Sequence, residues 1–193
     1  MGKLVVCTNL SLDGVMQGPA RGDEDARNGF RRGGWAAPYA GMMHVGEVFQ
    51  NTGALLLGRR TYLDFADVWP RRGHNPMTTW LTRIPKYVVS TSLEEPLPWE
   101  NSTLLVGDLA TAVPAVKREV GKDILVMGSG ELIESLMRLG LVDEWVLLIH
   151  PLVLGSGRRL FPEGGVATDL TLVESRSTPG GVVIANYRKA EPA

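Results

Sequence analysis

The chain has 193 residues, 44% of them apolar and 21% charged, which are the proportions of an ordinary globular protein and exclude a disordered or fibrous one. Lys and Arg total 20 against 21 Asp and Glu, so no global basic field exists to hold nucleic acid or an anionic membrane. Cys7 is the single cysteine, which excludes an intramolecular disulfide and a thiolate metal cluster and suits a reducing, cytoplasmic setting. The length suits one domain over residues 1–193. The opening residues lead straight into an apolar strand without the order of a secretory signal, and no apolar run approaches a membrane span.

The first strand is expected at about Lys3 to Asn9. From Ser11 to about Pro38 the chain carries Asp-Gly, Gly-Pro and Gly-Gly punctuation and no helical period, which reads as a long loop. Phe30, Trp35 and Tyr39 within it argue for a loop that docks, and a lid is the expectation. Gly41 to Thr52 reads as a helix with Met42, Val45, Phe49 and Thr52 as its core stripe. A buried strand, Ala54 to Leu57, precedes Gly58-Arg-Arg-Thr-Tyr62 and a short helix that ends before Trp69-Pro70. A loop rich in Arg, Gly and Pro then reaches strands at Lys86 to Ser90 and Thr103 to Val106.

Asp108 is placed to cap a helix running towards Val120, with Pro114 implying a kink or a late start. Ile124 to Met127 is an apolar strand followed by Gly-Ser-Gly and an amphipathic helix. That helix turns Leu132, Ile133, Leu136 and Leu139 inward, and Gly140 ends it. A strand at Glu144 to Leu152 and two more near Leu170 to Ser177 and Val182 to Lys189 complete the chain, the last pair joined by a Pro179-Gly-Gly181 hairpin. The expected class is α/β, with a sheet parallel early and antiparallel at the end.

Two strand-glycine-helix junctions carry most of the functional signal. Gly58, Arg59, Arg60 and Thr61 combine a tight turn, a helix N-terminus, two guanidinium groups and a hydroxyl, which suits phosphate. Gly128, Ser129, Gly130 and Glu131 repeat the geometry without bulky side chains, so a pyrophosphate can approach the backbone. Such turns join strands to helices in any α/β domain, and either one by itself carries little weight; together they point to a dinucleotide. A simple Rossmann dehydrogenase is disfavoured, because the first strand leads into Ser11-Leu-Asp-Gly-Val-Met16 and not into a Gly-x-Gly-x-x-Gly run.

With these motifs in this order, together with Val126-Met-Gly-Ser-Gly130 and the stretch from Asp143-Glu144 to His150-Pro-Leu-Val-Leu-Gly-Ser-Gly-Arg-Arg-Leu-Phe161, the chain resembles the dihydrofolate-reductase-like superfamily. The resemblance is to the branch typified by the riboflavin-biosynthesis reductase domain. It implies a three-layer fold with a central mixed sheet flanked by helices, antiparallel C-terminal strands, and NADPH across the carboxyl ends of the parallel strands. Carried over by position, Gly58, Arg59, Arg60 and Thr61 serve the phosphates, Gly128, Ser129, Gly130, Glu131 and Leu132 the pyrophosphate, and Ser90 with Thr91 the adenosine 2′-phosphate. The segment holding Asp13, Gly14, Val15 and Met16 belongs beside the nicotinamide, with Met16 as a cofactor contact and Asp13 and Gly14 on the substrate side. In folate reductases a carboxylate on the first helix grips the pterin; here Met42 stands at that position, so the resemblance does not extend to dihydrofolate reduction.

Weighed singly, Asp13 is a candidate catalytic or substrate-orienting group, although Asp-Gly is also a turn former. Trp69 is a candidate pocket wall for a flat heterocycle, against the commoner reading of core packing. Arg158 and its neighbour Arg159 are candidate ligands of a substrate phosphate, or a solvated loop. His150 on an apolar strand reads as structural, and His44, His74 and His150 are too scattered for a metal site. The implied function is NADPH-dependent hydride transfer to a small polar heterocycle or sugar-linked pyrimidine, of the 5-amino-6-(5-phosphoribosylamino)uracil reductase type. The alternatives are a dihydrofolate or pterin reductase and a non-catalytic NADPH- or ligand-binding protein of the same fold. A homodimer is expected, with Trp145 and Val146 to Ile149 on a pairing edge.

Overall fold

The computed structural model describes residues 2–42 and 49–190. Its strands are β1 (Leu4–Ser11), β2 (Thr52–Gly58), β3 (Lys86–Val89), β4 (Ser102–Leu105), β5 (Asp123–Val126), β6 (Glu144–His150), β7 (Leu170–Ser177) and β8 (Val183–Lys189). Its helices are α1 (Arg59–Arg71), α2 (Pro76–Arg83), α3 (Leu109–Val120) and α4 (Gly130–Arg138). Among the described residues the strands form one mixed sheet in the order β4-β3-β2-β5-β1-β6-β8-β7. The chain divides into two compact units, Met1–Val5 with Val48–Leu141, and Val6–Glu47 with Val142–Ala193.

In the first unit β2, β3, β4 and β5 run parallel, β3 beside β4 and β2, and β2 beside β5. Parallel strands covered on both faces read as continuous apolar runs, and Ala54 to Leu57 and Ile124 to Val126 are buried along their whole length. Leu132, Ile133, Leu136 and Met137 of α4 are buried. Leu139, expected inward, is 44% exposed, because the helix has closed by then. Gly140 takes φ +66°, its N–H donates to Met137 O at 3.0 Å, and Leu141 N–H donates to Leu136 O at 3.0 Å. This left-handed closure needs a glycine and turns Leu139 out of the buried stripe.

Two helix expectations change, for α1 and α2, and for α3 the late start is excluded. α1 runs through Trp69-Pro70 to Arg71: a proline this near the end deprives only the Ala66 carbonyl of its partner, and the chain leaves the helix one residue later. α3 begins directly after Asp108, whose carboxylate accepts from Ala110 N–H at 3.3 Å, so Pro114 lies within it. α2 was expected as loop. Its signal is Asn75-Pro76, where Asn75 Oδ1 accepts from Thr78 N–H at 2.9 Å and Pro76 occupies the first turn, which needs no N–H donor. The helix expected from Gly41 to Thr52 lies largely outside the described residues; Phe49 and Gln50 are helical, whereas Thr52 opens β2.

In the second unit β6 pairs antiparallel with β8, and β8 with β7. The expected Pro179-Gly-Gly181 hairpin joins them, closed by Gly181 N–H to Thr178 O at 2.9 Å. β6 lies inside the sheet, so Trp145 and Val146 to Ile149 do not form an edge; their apolar run is that of a covered interior strand. The edge belongs to β7, where Leu172 and Val173 are 49% and 54% exposed. The long segment after β1 docks as its aromatics suggest, with Phe30, Trp35 and Ala36 packed on Val15 and Leu154.

Lys86, at the start of β3, is 1% exposed, and its ammonium donates to the carbonyls of Leu81 at 2.7 Å, Ile84 at 2.9 Å and Thr82 at 3.2 Å. These are the free carbonyls at the end of α2, so a buried cation closes that helix, 4.4 Å over the Trp99 ring. Replacing Lys86 by Met strands the carbonyls, and a loss of about 2–3 kcal/mol is expected in denaturant unfolding. Burial pushes the amine down from 10.5 to about 8. The unfolded chain therefore binds more protons between those values, wild-type stability gains with pH across that window, and its margin over the Met variant should widen there.

Candidate functional site

Because β2 to β5 are parallel, their carboxyl ends share one edge of the first unit, and the two glycine junctions meet there. Gly58 N–H donates to Gly128 O at 3.1 Å. A Cβ on Gly58 would stand 2.2 Å from Ser129 Oγ, and one on Gly128, at φ +136°, would stand 2.7 Å from Thr61 Oγ1. Each glycine therefore makes room for the other turn, and no side chain fits at either place. The Gly128–Ser129 peptide is cis.

This contact brings the starts of α1 and α4 together, and neither helix has a side-chain cap. By contrast α2 is capped by Asn75 and α3 by Asp108. The starts of α1 and α4 thus lack a capping side chain, and the partial positive charge of both helices favours an anion there. Arg60 and Glu131 pair across the two turns at 3.1 Å with side chains 46% and 59% exposed. An exposed pair of this kind is worth about 0–1 kcal/mol, so a phosphate can take over the guanidinium at little cost. Arg59 is also exposed. Tyr62, one residue beyond the turn, is buried, and its hydroxyl accepts from Trp99 N–H at 3.0 Å, fixing the first turn of α1.

Val89, the last residue of β3, is in register with Gly58, so Ser90 and Thr91 follow at the same edge. Ser90 Oγ accepts from the N–H groups of Ser92 and Leu93 at 3.1 and 3.0 Å, which curls the loop. A third junction, Leu105-Val106-Gly107-Asp108, ends β4 beside β3 and was overlooked in the sequence. Its signal is the same strand-glycine-helix pattern, with Gly107 at φ +101° and Val106 74% exposed. Here Asp108 fills the helix start, which disfavours phosphate.

The Ser11–Met16 turn belongs to the second unit. Asp13 Oδ1 accepts from Ser11 Oγ at 2.6 Å and Leu154 N–H at 3.0 Å, and Oδ2 accepts from Gly155 N–H at 2.8 Å. The Asp13 carbonyl accepts from Arg159 Nε at 2.9 Å, and the Gly14 carbonyl from Leu160 N–H at 3.0 Å. Asp13 is therefore a clamp between the turn and the 152–160 loop, its carboxylate engaged by three donors. Its carboxyl is held down at about 2, first by the Ser11 hydroxyl and then by the backbone donors. Met16 N–H donates to Arg158 O at 2.9 Å, and Arg158 N–H to Gln17 Oε1 at 2.9 Å. Arg158, Gln17, Arg27 and Phe30 line a cavity of about 350 Å³.

Trp69 stands ten residues into α1, about 15 Å from its start by helical rise, with Phe65 and Arg72 on its ring, so it does not wall the cradle. His150 is fully buried, bonded through Nε2 to Asn9 Oδ1 at 2.9 Å and edge-on to Trp35 and Tyr39. Burial pushes the imidazole down to about 4, which suits a neutral structural group. Among the described residues no cluster of three or more His, Cys, Asp or Glu is arranged for a metal, and no helix is long and apolar enough to cross a membrane.

The Asp13 clamp has a measurable signature. A carboxyl lowered from 3.8 to about 2 contributes stability that is complete above 3.8 and lost as pH falls through 2. Wild type should unfold at higher denaturant than Asp13→Asn at pH 7, with the gap closing between pH 3.8 and 2. A gap that ignores pH would contradict the clamp.

The fold matches known proteins. A structure from Shewanella sp. PV-4, provisionally placed in riboflavin biosynthesis, is 22% identical with a TM-score of 0.70, over 99% of this chain and 100% of that one. A pyrimidine reductase-like protein from Corynebacterium diphtheriae is 14% identical with a TM-score of 0.63, over 99% and 93%. The uncharacterized protein YyaP of Bacillus subtilis (strain 168) is 38% identical over 103 residues, a match spanning about half of either chain (53%). The RibD C-terminal domain family matches residues 3–184, which include both glycine turns and the Asp13 clamp. The chain belongs to the RibD C-terminal domain family.

Proposed function

We propose that the chain is a cytoplasmic, NADPH-dependent reductase of a small polar substrate, of the sugar-linked pyrimidine type that riboflavin biosynthesis uses. The observation that carries this reading is the pair of uncapped helix starts, α1 and α4, held face to face by the Gly58–Gly128 contact. Two anion-binding helix ends in contact suit the linked phosphates of a dinucleotide. The residues present fit that group, since the two places where a Cβ would intrude are both glycine.

In this reading the N–H groups of Gly130, Glu131 and Leu132 and the Ser129 hydroxyl hold the pyrophosphate. Arg59, Arg60 and Thr61 hold the charge beside it, and Ser90 and Thr91 the ribose 2′-phosphate. NADPH, when bound, supplies the hydride that reduces a carbonyl or imine carbon, and a proton goes to the attached heteroatom. Asp13 stays ionised and keeps its turn in place, with Gly14 and Met16 presented by that turn. His150 is buried and bonded to Asn9. Neither is assigned as an acid for the substrate. Arg158 at the 350 Å³ cavity suits a phosphate on the substrate, whereas the Arg27 guanidinium is held by Asp25. The exposed β7 edge, with Leu172 and Val173, is the surface through which a homodimer would form.

Calorimetric titration with NADPH and NADH tests this reading. NADPH should bind at least about ten-fold more tightly, and replacing Arg59 and Arg60 together by Ala should weaken it by about 10²-fold, from the loss of two charge-assisted contacts. Single-turnover oxidation of NADPH with a phosphoribosylamino-pyrimidine should follow. Equal affinity for the two nucleotides, or NADPH binding that survives the double change, would overturn the assignment.

A further inference from the structure

A second cavity, of about 890 Å³, lies in the first unit at the opposite end of the parallel strands. Thr52 opens β2, Ile84 and Pro85 precede β3, and Lys122 precedes β5, so the cavity sits at the amino ends. β2 has seven residues between the two ends, which places the cavity about 20 Å from the glycine turns. Its size falls within the range of about 300–1,000 Å³ that holds cofactor- or drug-sized molecules.

The lining has one aromatic wall and one sign of charge. Trp80, on α2, presents its indole to the cavity and is braced by Phe49, with ring centroids 4.8 Å apart and planes tilted by 57°. Asn75 and Pro76 fix the start of α2, so the helix carrying Trp80 and Arg83 is held at its base. Lys122 comes from the other side, just after α3 closes at Gly121 with φ +68°. Gly53 allows this approach: a Cβ there would stand 2.7 Å from Val120 Cγ1 and 2.8 Å from Lys122 Cβ.

Among the described residues Arg83, Lys122 and the His74 imidazole line the cavity, and no carboxylate does. The neighbouring Asp123 is committed elsewhere, accepting from Lys3 N–H at 2.8 Å and Asn51 Nδ2 at 2.6 Å. Val120, Ile84 and Pro85 supply apolar surface. A ring against the Trp80 wall, bearing an anionic group that reaches Arg83 and Lys122, uses all of these features.

We propose that this cavity is a second ligand site, separate from the glycine turns, that binds a planar aromatic carboxylate between Trp80 and the Arg83–Lys122 pair. The probe is 2-naphthoate, with the neutral 2-naphthamide as its isosteric control, each titrated into the full chain. Binding is read by calorimetry and by the indole N–H signal of Trp80, assigned through Trp80→Phe. The carboxylate should bind roughly ten-fold or more tightly than the amide and shift the Trp80 signal. Arg83→Met with Lys122→Met should erase that preference. Both side chains are exposed, so the double variant should keep its melting temperature; where it does not, Lys122→Gln serves with an expected partial loss. Equal affinity for acid and amide, binding that leaves the Trp80 signal unmoved, a preference that survives the charge removal, or no binding of either compound would overturn the proposal.

Discussion

The backbone hydrogen bond from Gly58 to Gly128 is the constraint on which the candidate site depends. It joins the ends of two adjacent parallel strands, and it closes only because neither residue carries a Cβ that would strike Ser129 or Thr61. Once it is made, the starts of α1 and α4 lie beside one another. A side chain at either glycine would force the two turns apart. The paired arginines contribute charge, but the position of that charge follows from the turn.

The first unit treats its helix ends unequally, and the inequality separates function from support. Asn75 and Asp108 satisfy the starts of α2 and α3, and the Lys86 ammonium satisfies the end of α2, all within the chain. The starts of α1 and α4 have no such side chain. Helix ends that a protein leaves without internal acceptors are satisfied by solvent or ligand. In the second unit the same accounting explains Asp13, whose carboxylate is consumed by Ser11, Leu154 and Gly155 and so holds a loop in place.

Much of the fold was legible in local pattern. The continuous apolar runs of β2 and β5, the Asp108 cap, the Gly140 closure and the Pro179-Gly-Gly181 hairpin each depend on residues close in sequence, and each formed where expected. What was missed depends on distant partners or on signals that look polar. α2 reads as loop because Met77, Thr78 and Thr79 show no strong apolar stripe, and only the Asn75-Pro76 start betrays it. β6 was placed at an edge because an apolar run does not say whether its neighbours are strands of the same chain. The Gly58 and Gly128 turns were both recognised, but their contact follows from the pairing of β2 with β5, which no local pattern encodes. Asp13 stood out as a carboxylate near a glycine, while the donors that occupy it lie about 140 residues away.

The central claim is that the two turns act as one anion site. Backbone amide signals of Gly58 to Thr61 and of Gly128 to Leu132, followed by heteronuclear NMR during titration with NADPH, test it directly. The account predicts that both sets shift together along a single binding curve, while the capped starts of α2 and α3 stay still. Movement of one turn without the other, or of neither, would contradict it.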